Sequence, residues 1–107
     1  MRLTYSDVMK MMAKIGIEFL GVLAGLAERS TVSLELQSPI AVGDVISELV
    51  NRFSQEFKRA LIDPELNDPR PNVLIILNRK EISALNGLET AVKDGDKLVL
   101  LPVSHGG

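Results

Sequence analysis

The chain has 107 residues, 46% of them hydrophobic and 24% charged, with no cysteine, one histidine and a net charge of −2. That length and balance predict one globular domain around a single apolar core and leave no room for a second. The lack of thiols excludes a disulfide, a thiolate nucleophile and a thiolate metal site, while the slight negative charge offers no footprint for a nucleic-acid backbone.

No apolar stretch approaches the roughly 20 residues that span a bilayer, and the amino terminus lacks a signal-peptide pattern, so no membrane contact and a cytoplasmic location are expected. Aromatic residues are limited to Tyr5, Phe19, Phe53 and Phe57, which leaves the core to Leu, Ile and Val.

Residues 1–13 are rich in methionine and precede the first clean periodic pattern. They read either as a short helix beginning after Ser6, with Val8, Met9, Met11 and Met12 partly buried, or as a loosely ordered extension. Initiation at Met11 or Met12 is a further alternative. The domain proper is expected over 14–103. From Lys14, the alternation of Ile15, Ile17 and Phe19 with Gly16 and Glu18 predicts a first, half-buried strand. Gly21 to Ser30 is a connection long enough for a turn of helix. Thr31 to Gln37 alternates Val32, Leu34 and Leu36 with Ser33, Glu35 and Gln37, a second strand that Ser38-Pro39 stops.

Over Val42 to Leu61 the period lengthens: Val42, Val45, Ile46, Leu49, Val50, Phe53, Phe57 and Leu61 recur at three and four residues, predicting one long helix. Its acidic start (Asp44, Glu48) and basic end (Lys58, Arg59) suit the helix dipole, although neither Ala41 nor Val42 is a good cap. Asp63 to Asn72, with Pro64, Pro69 and Pro71, is a surface loop. Val73 to Leu77 is five aliphatic residues in succession and reads as a strand buried on both faces. Asn78-Arg79-Lys80 turns the chain, and an irregular stretch follows through Ile82, Leu85 and Leu88. After a tight turn at Asp94-Gly95-Asp96, Leu98 to Val103 is a second continuous apolar run, and residues 104–107 form a flexible tail.

The candidate chemistry narrows quickly. Asp94-Gly95-Asp96 has two carboxylates where a hard cation needs six or more oxygens, so it reads as a turn. His105 has no neighbouring metal ligand, and is either a solvated tail residue or one read by a partner enzyme. No Gly-rich phosphate loop and no nucleophile-base pair is present, so the chain is expected to bind no metal or cofactor and to catalyse nothing itself. The carboxylate of Gly107 remains. It is ionised at neutral pH, since α-carboxyl groups titrate near pH 3.5. An enzyme that positions it against the α-phosphate of ATP could form an acyl adenylate. Gly106 and Gly107 carry no Cβ and can thread a narrow channel, or they are an incidental flexible end.

The order strand, strand, long helix, strand, short edge piece, strand, tail is that of a β-grasp domain. Together with Val42-Gly43-Asp44 at the helix start, Leu85-Asn86-Gly87-Leu88, Gly95-Asp96, the run Leu98 to Val103 and the final Gly106-Gly107, it resembles the MoaD/ThiS and ubiquitin-related-modifier proteins. The resemblance covers about Lys14 to Gly107. It implies an α+β, ubiquitin-like fold, a mixed four- to five-stranded sheet packed on one long helix. It also implies a sulfur carrier: a MoeB/ThiF-like activating enzyme, which holds ATP and zinc, adenylates Gly107, and sulfur transfer gives a thiocarboxylate. Gly106 would serve sterically, Ser104 and His105 would be tail positions read by the enzyme, and Leu101, Pro102 and Val103 would dock the partner.

MoaD-like members donate this sulfur to molybdopterin as the small subunit of molybdopterin synthase, beside a MoaE-like large subunit, and that destination is the first expectation. ThiS-like members donate it to thiazole. Ubiquitin-related modifiers, whose tails also end His-Gly-Gly, use it in transfer-RNA thiolation and become attached to target-protein lysines. These are the alternatives.

Overall fold

The computed structural model describes residues 2–103. Its strands are β1 (Met12–Phe19), β2 (Thr31–Gln37), β3 (Ile40–Ala41), β4 (Val73–Leu77), β5 (Lys80–Glu81), β6 (Ala91–Val92) and β7 (Lys97–Pro102), and its α-helices are α1 (Tyr5–Lys10), α2 (Val22–Ala27), α3 (Val42–Arg52) and α4 (Gln55–Leu61). The main sheet runs β2-β1-β7-β4-β5, with β1 parallel to β7 and the other pairs antiparallel. This is the mixed, five-stranded β-grasp arrangement expected. Two-residue β3 and β6 form a separate small ladder, too short for periodicity to reveal.

Alternation decides which side of the sheet is covered. Ala13, Ile15, Ile17 and Phe19 of β1, Leu34 of β2, Val73, Ile75 and Leu77 of β4, and Leu98 and Leu100 of β7 all turn inward and are buried. They meet Val42, Val45, Ile46 and Leu49 of α3 and Phe57 and Leu61 of α4 in one core. β1 begins at Met12, before the expected Lys14, because Ala13 already belongs to the buried set.

The helix preceding β1 starts at Tyr5 rather than after Ser6, because Thr4 supplies its cap. The Thr4 hydroxyl accepts from the Asp7 N–H and the Asp7 carboxylate accepts from the Thr4 N–H, each at 3.1 Å, a reciprocal capping box. The Thr4 N–H also holds the Asp7 carboxyl below its ordinary pKa. Val8 and Met9 are exposed, against the expectation of partial burial; Met11 and Met12 are half-buried.

The predicted single helix over Val42 to Leu61 is two helices. Phe53 is extended (φ −114°, ψ 178°), and Ser54 caps α4 by accepting the Phe57 N–H at 3.2 Å. The break brings Phe53 and Phe57 together against Phe19, with ring centroids 4.8–5.5 Å apart. The two contacts made by Phe19 are edge-on, an arrangement that adds about 0.5–1.5 kcal/mol each beyond area burial. At the other end, Ala41 cannot cap α3 with a side chain. Instead the Asp44 carboxylate accepts the Ala41 N–H at 2.8 Å and the Thr90 carbonyl accepts the Val42 N–H at 2.9 Å.

β4 is not buried on both faces. Leu74 is exposed and Ile76 half-buried, because the helices cover only the opposite face. The same holds for β7, where Val99 is half-buried and Leu101 exposed. Asn78 and Arg79, both with positive φ (47° and 74°), form the two-residue connection between Leu77 and Lys80, the signature of a type I′ hairpin.

Candidate functional site: the last strand and the outer face of the sheet

β7 is the last strand in sequence but the middle one in space. On one side, Gly16, Ile17, Glu18 and Phe19 pair with Lys97, Leu98, Val99 and Leu100; on the other, Val73 to Leu77 pair with Pro102 back to Leu98. A central strand has both edges satisfied, so its direction and end point are held by its neighbours. The hold persists past the ladder: the Leu20 N–H donates to the Leu100 carbonyl at 3.1 Å, and the Val103 N–H donates to the Asn72 carbonyl at 3.0 Å.

Pro102 ends the strand, where its missing donor costs nothing. It lies over Gly21, whose φ of +57° requires glycine and where an added Cβ would stand 3.5 Å from the Pro102 ring.

The start of β7 is equally fixed. Gly95 (φ +89°) makes the turn, and both flanking carboxylates accept backbone donors: Asp94 from Lys14 at 2.7 Å, Asp96 from Lys93 at 2.7 Å. Asn78 links this turn to the β4–β5 hairpin, donating to Asp96 at 2.8 Å and accepting the Lys97 N–H at 3.0 Å. The acidic triplet is therefore a pinned turn. Among the described residues no group of three or more metal-ligating side chains comes together.

The outer face carries four apolar side chains in cross-strand pairs, Leu74 with Leu101 and Ile76 with Val99. Leu74 is 39% exposed and Leu101 37%. Beside them Lys97 Nζ and Glu18 Oε1 pair at 3.1 Å across β1 and β7. Of the expected docking residues, Leu101 stands on this face, while Pro102 and Val103 are half-buried at its end. Leu74, Ile76 and Val99 were not singled out from sequence, because a continuous aliphatic run looks the same whether its second face meets a helix or an open surface. Ser104, His105, Gly106 and Gly107 lie outside the described residues.

Among the described residues the other perturbed carboxylate is remote from β7 in sequence. Asp68, in the loop before β4, accepts from Arg70 at 2.6 Å, and this hydrogen bond holds its carboxyl below the ordinary range and raises Arg70. No helix among the described residues is long and apolar enough to cross a membrane.

A mixed sheet centred on β7, with helices on one face and an open apolar patch on the other, defines a β-grasp domain. The ThiS family model matches residues 17–107, and the chain belongs to that family, the β-grasp sulfur carriers. It is 29% identical to ubiquitin-related modifier 1 of Eremothecium gossypii, over 90% of this chain and 100% of that protein. The solution structure of small archaeal modifier protein 1 from Methanosarcina acetivorans superposes with a TM-score of 0.74 at 25% identity, covering 90% of this chain and 98% of the other. A chain of the Amycolatopsis orientalis BexX/CysO complex, also 25% identical, covers 87% of this chain and 99% of its own length with a TM-score of 0.64.

Proposed function

We propose that this protein is a sulfur carrier whose Gly107 carboxylate is activated by a partner enzyme. The carboxylate attacks the α-phosphorus of ATP, pyrophosphate leaves, and a sulfide equivalent then displaces AMP to give a thiocarboxylate. The observation that carries this reading is the position of β7. The strand is paired on both edges and tied through Val103, four residues before Gly107, and the family match runs to Gly107. Gly106 and Gly107, without Cβ atoms, pass a narrow channel that larger residues would block. Ser104 and His105 are the tail positions the enzyme reads. ATP and zinc belong to that MoeB/ThiF-like enzyme, and the Leu74, Ile76, Val99 and Leu101 face, with Pro102 and Val103 at its end, docks it.

The kinship with ubiquitin-related modifier 1 and a small archaeal modifier protein, together with the His105-Gly106-Gly107 ending, favours transfer-RNA thiolation and attachment to target lysines as the destination. A second reading is the small subunit of molybdopterin synthase with a MoaE-like partner. It draws on the resemblance to the MoaD/ThiS and modifier proteins at Val42-Gly43-Asp44 and Leu85-Asn86-Gly87-Leu88, segments that pack together: a Cβ on Gly43 would stand 3.4 Å from the Leu88 carbonyl.

Intact-mass analysis after incubation with the cognate activating enzyme, ATP and a sulfur donor tests the carrier. The expected result is a gain equal to sulfur replacing oxygen. Deleting Gly107 should abolish it and leave the thermal midpoint unchanged, whereas undiminished adenylation of the truncated chain sinks the proposal. Gly-Gly remnants on lysines of other proteins favour the modifier destination, and dithiolene formation with a large synthase subunit favours molybdopterin.

A further inference from the structure

Gly16 occupies the middle of β1, an interior strand of the sheet, where the fold gives no reason for glycine. Its φ is not in the left-handed region, and a Cβ built on it would meet nothing within 4 Å. Its neighbours Ile15 and Ile17 point into the core, so position 16 faces outward, with Ser33 of β2 and Lys97 of β7 in register on either side. Glycine inside a strand weakens it and often marks a bulge or a close approach by a ligand or another chain; the β1–β2 register is continuous through Gly16, so there is no bulge.

The hollow over Gly16 is rimmed by Arg29, Thr31, Ser33 and Lys97, all exposed. The rim is rich in donors, two cations and two hydroxyls. Of the acids nearby, Glu18 pairs with Lys97, Glu35 is in register with Lys14, and Asp94 and Asp96, which border Gly16 at the turn before β7, accept backbone N–H groups. Arg29 makes no ion pair among the described residues. A guanidinium and two hydroxyls around a floor without a side chain match a carboxylate inserted from outside, which Arg recognises through its planar fork of donors. Lys97 also borders the apolar patch through Val99 and Ile76, so the hollow continues the same face.

We infer that the hollow over Gly16 receives an acidic side chain of the activating enzyme, an anchor that sets which enzyme may load this carrier. The inference rests on the carrier reading and adds to it the chemistry of the partner's contact. It is tested with the full-length chain, the activating enzyme encoded in the same genome, and ATP. Gly16→Val should leave the thermal midpoint unchanged or raise it, since the space is open and valine suits a strand, yet weaken binding by at least tenfold. Arg29→Glu should weaken binding to a similar extent and flatten its dependence on salt.

Wild-type binding by Gly16→Val, or by Arg29→Glu, overturns the inference while leaving the carrier reading intact, provided the wild-type chain is adenylated. Absence of adenylation in the wild-type chain overturns both. A lowered midpoint in Gly16→Val would be checked against Gly16→Ala, whose single methyl leaves part of the hollow open and should give an intermediate loss of binding; undiminished binding by that variant as well overturns the inference.

Discussion

Arg79 sits at φ +74°, in a region where a Cβ is costly and which glycine enters freely. Its neighbour Asn78 is of a type that visits positive φ more readily, and its side chain is held across the sheet by Asp96 and the Lys97 N–H. Relief of the Cβ penalty at position 79 is worth about 1–2 kcal/mol. Added freedom of the unfolded chain returns about 0.4–1 kcal/mol of that. Arg79→Gly is therefore expected to stabilise the domain by about 0.5–1 kcal/mol, read as a higher urea midpoint at unchanged slope; a lower midpoint would show that the arginine side chain contributes more than its backbone costs. Asn78-Arg79 announces a turn in the sequence, but its hand depends on joining two twisted strands at Leu77 and Lys80, a property of the pair and not of either residue.

At the scale of elements, the break between α3 and α4 shows what a hydrophobic stripe conceals. Val42 to Leu49 and Phe53 to Leu61 keep the spacing of three and four across the interruption, since both helices bury their apolar residues in one core. Ser54 is the local signal that could have revealed it, a good cap in the middle of an otherwise regular pattern. Ser54→Ala should cost about 1 kcal/mol, measured by chemical denaturation, because it removes the acceptor of the Phe57 N–H; a neutral result would mean the aromatic cluster of Phe19, Phe53 and Phe57 holds α4 without the cap. β2 was legible from Thr31 to Gln37 because one face is wet and alternation is visible. β4 and β7 were legible as strands but not in their burial, since Leu74, Ile76, Val99 and Leu101 continue the apolar run outward. The ordered route to the tail was legible as far as the run Leu98 to Val103; that this run is the middle of the sheet is a long-range fact, set by pairing with residues about 25 and 80 positions away.

Across the whole molecule, the sheet divides two tasks between its faces, and adjacent residues of β7 separate them. Leu100 points inward with no exposed surface, between Phe19 and Ile75 in the strand registers, whereas Leu101 points outward beside Leu74 and is 37% exposed. Truncating a buried leucine costs about 2–5 kcal/mol through lost burial and the cavity left behind, while a surface change away from such features stays within about 0.5 kcal/mol. Leu100→Ala should accordingly lower the denaturation midpoint sharply, and at temperatures where the variant remains folded it should bind the activating enzyme as the wild type does. Leu101→Asp should do the reverse, with near-native stability and binding weakened by more than tenfold, because it places a charge in the centre of the patch that the partner must desolvate. Titration calorimetry beside thermal unfolding distinguishes the two. If Leu101→Asp binds normally, the apolar patch around Leu101 is not the docking surface, and recognition must then rest on the hollow over Gly16 and on Ser104 to Gly107.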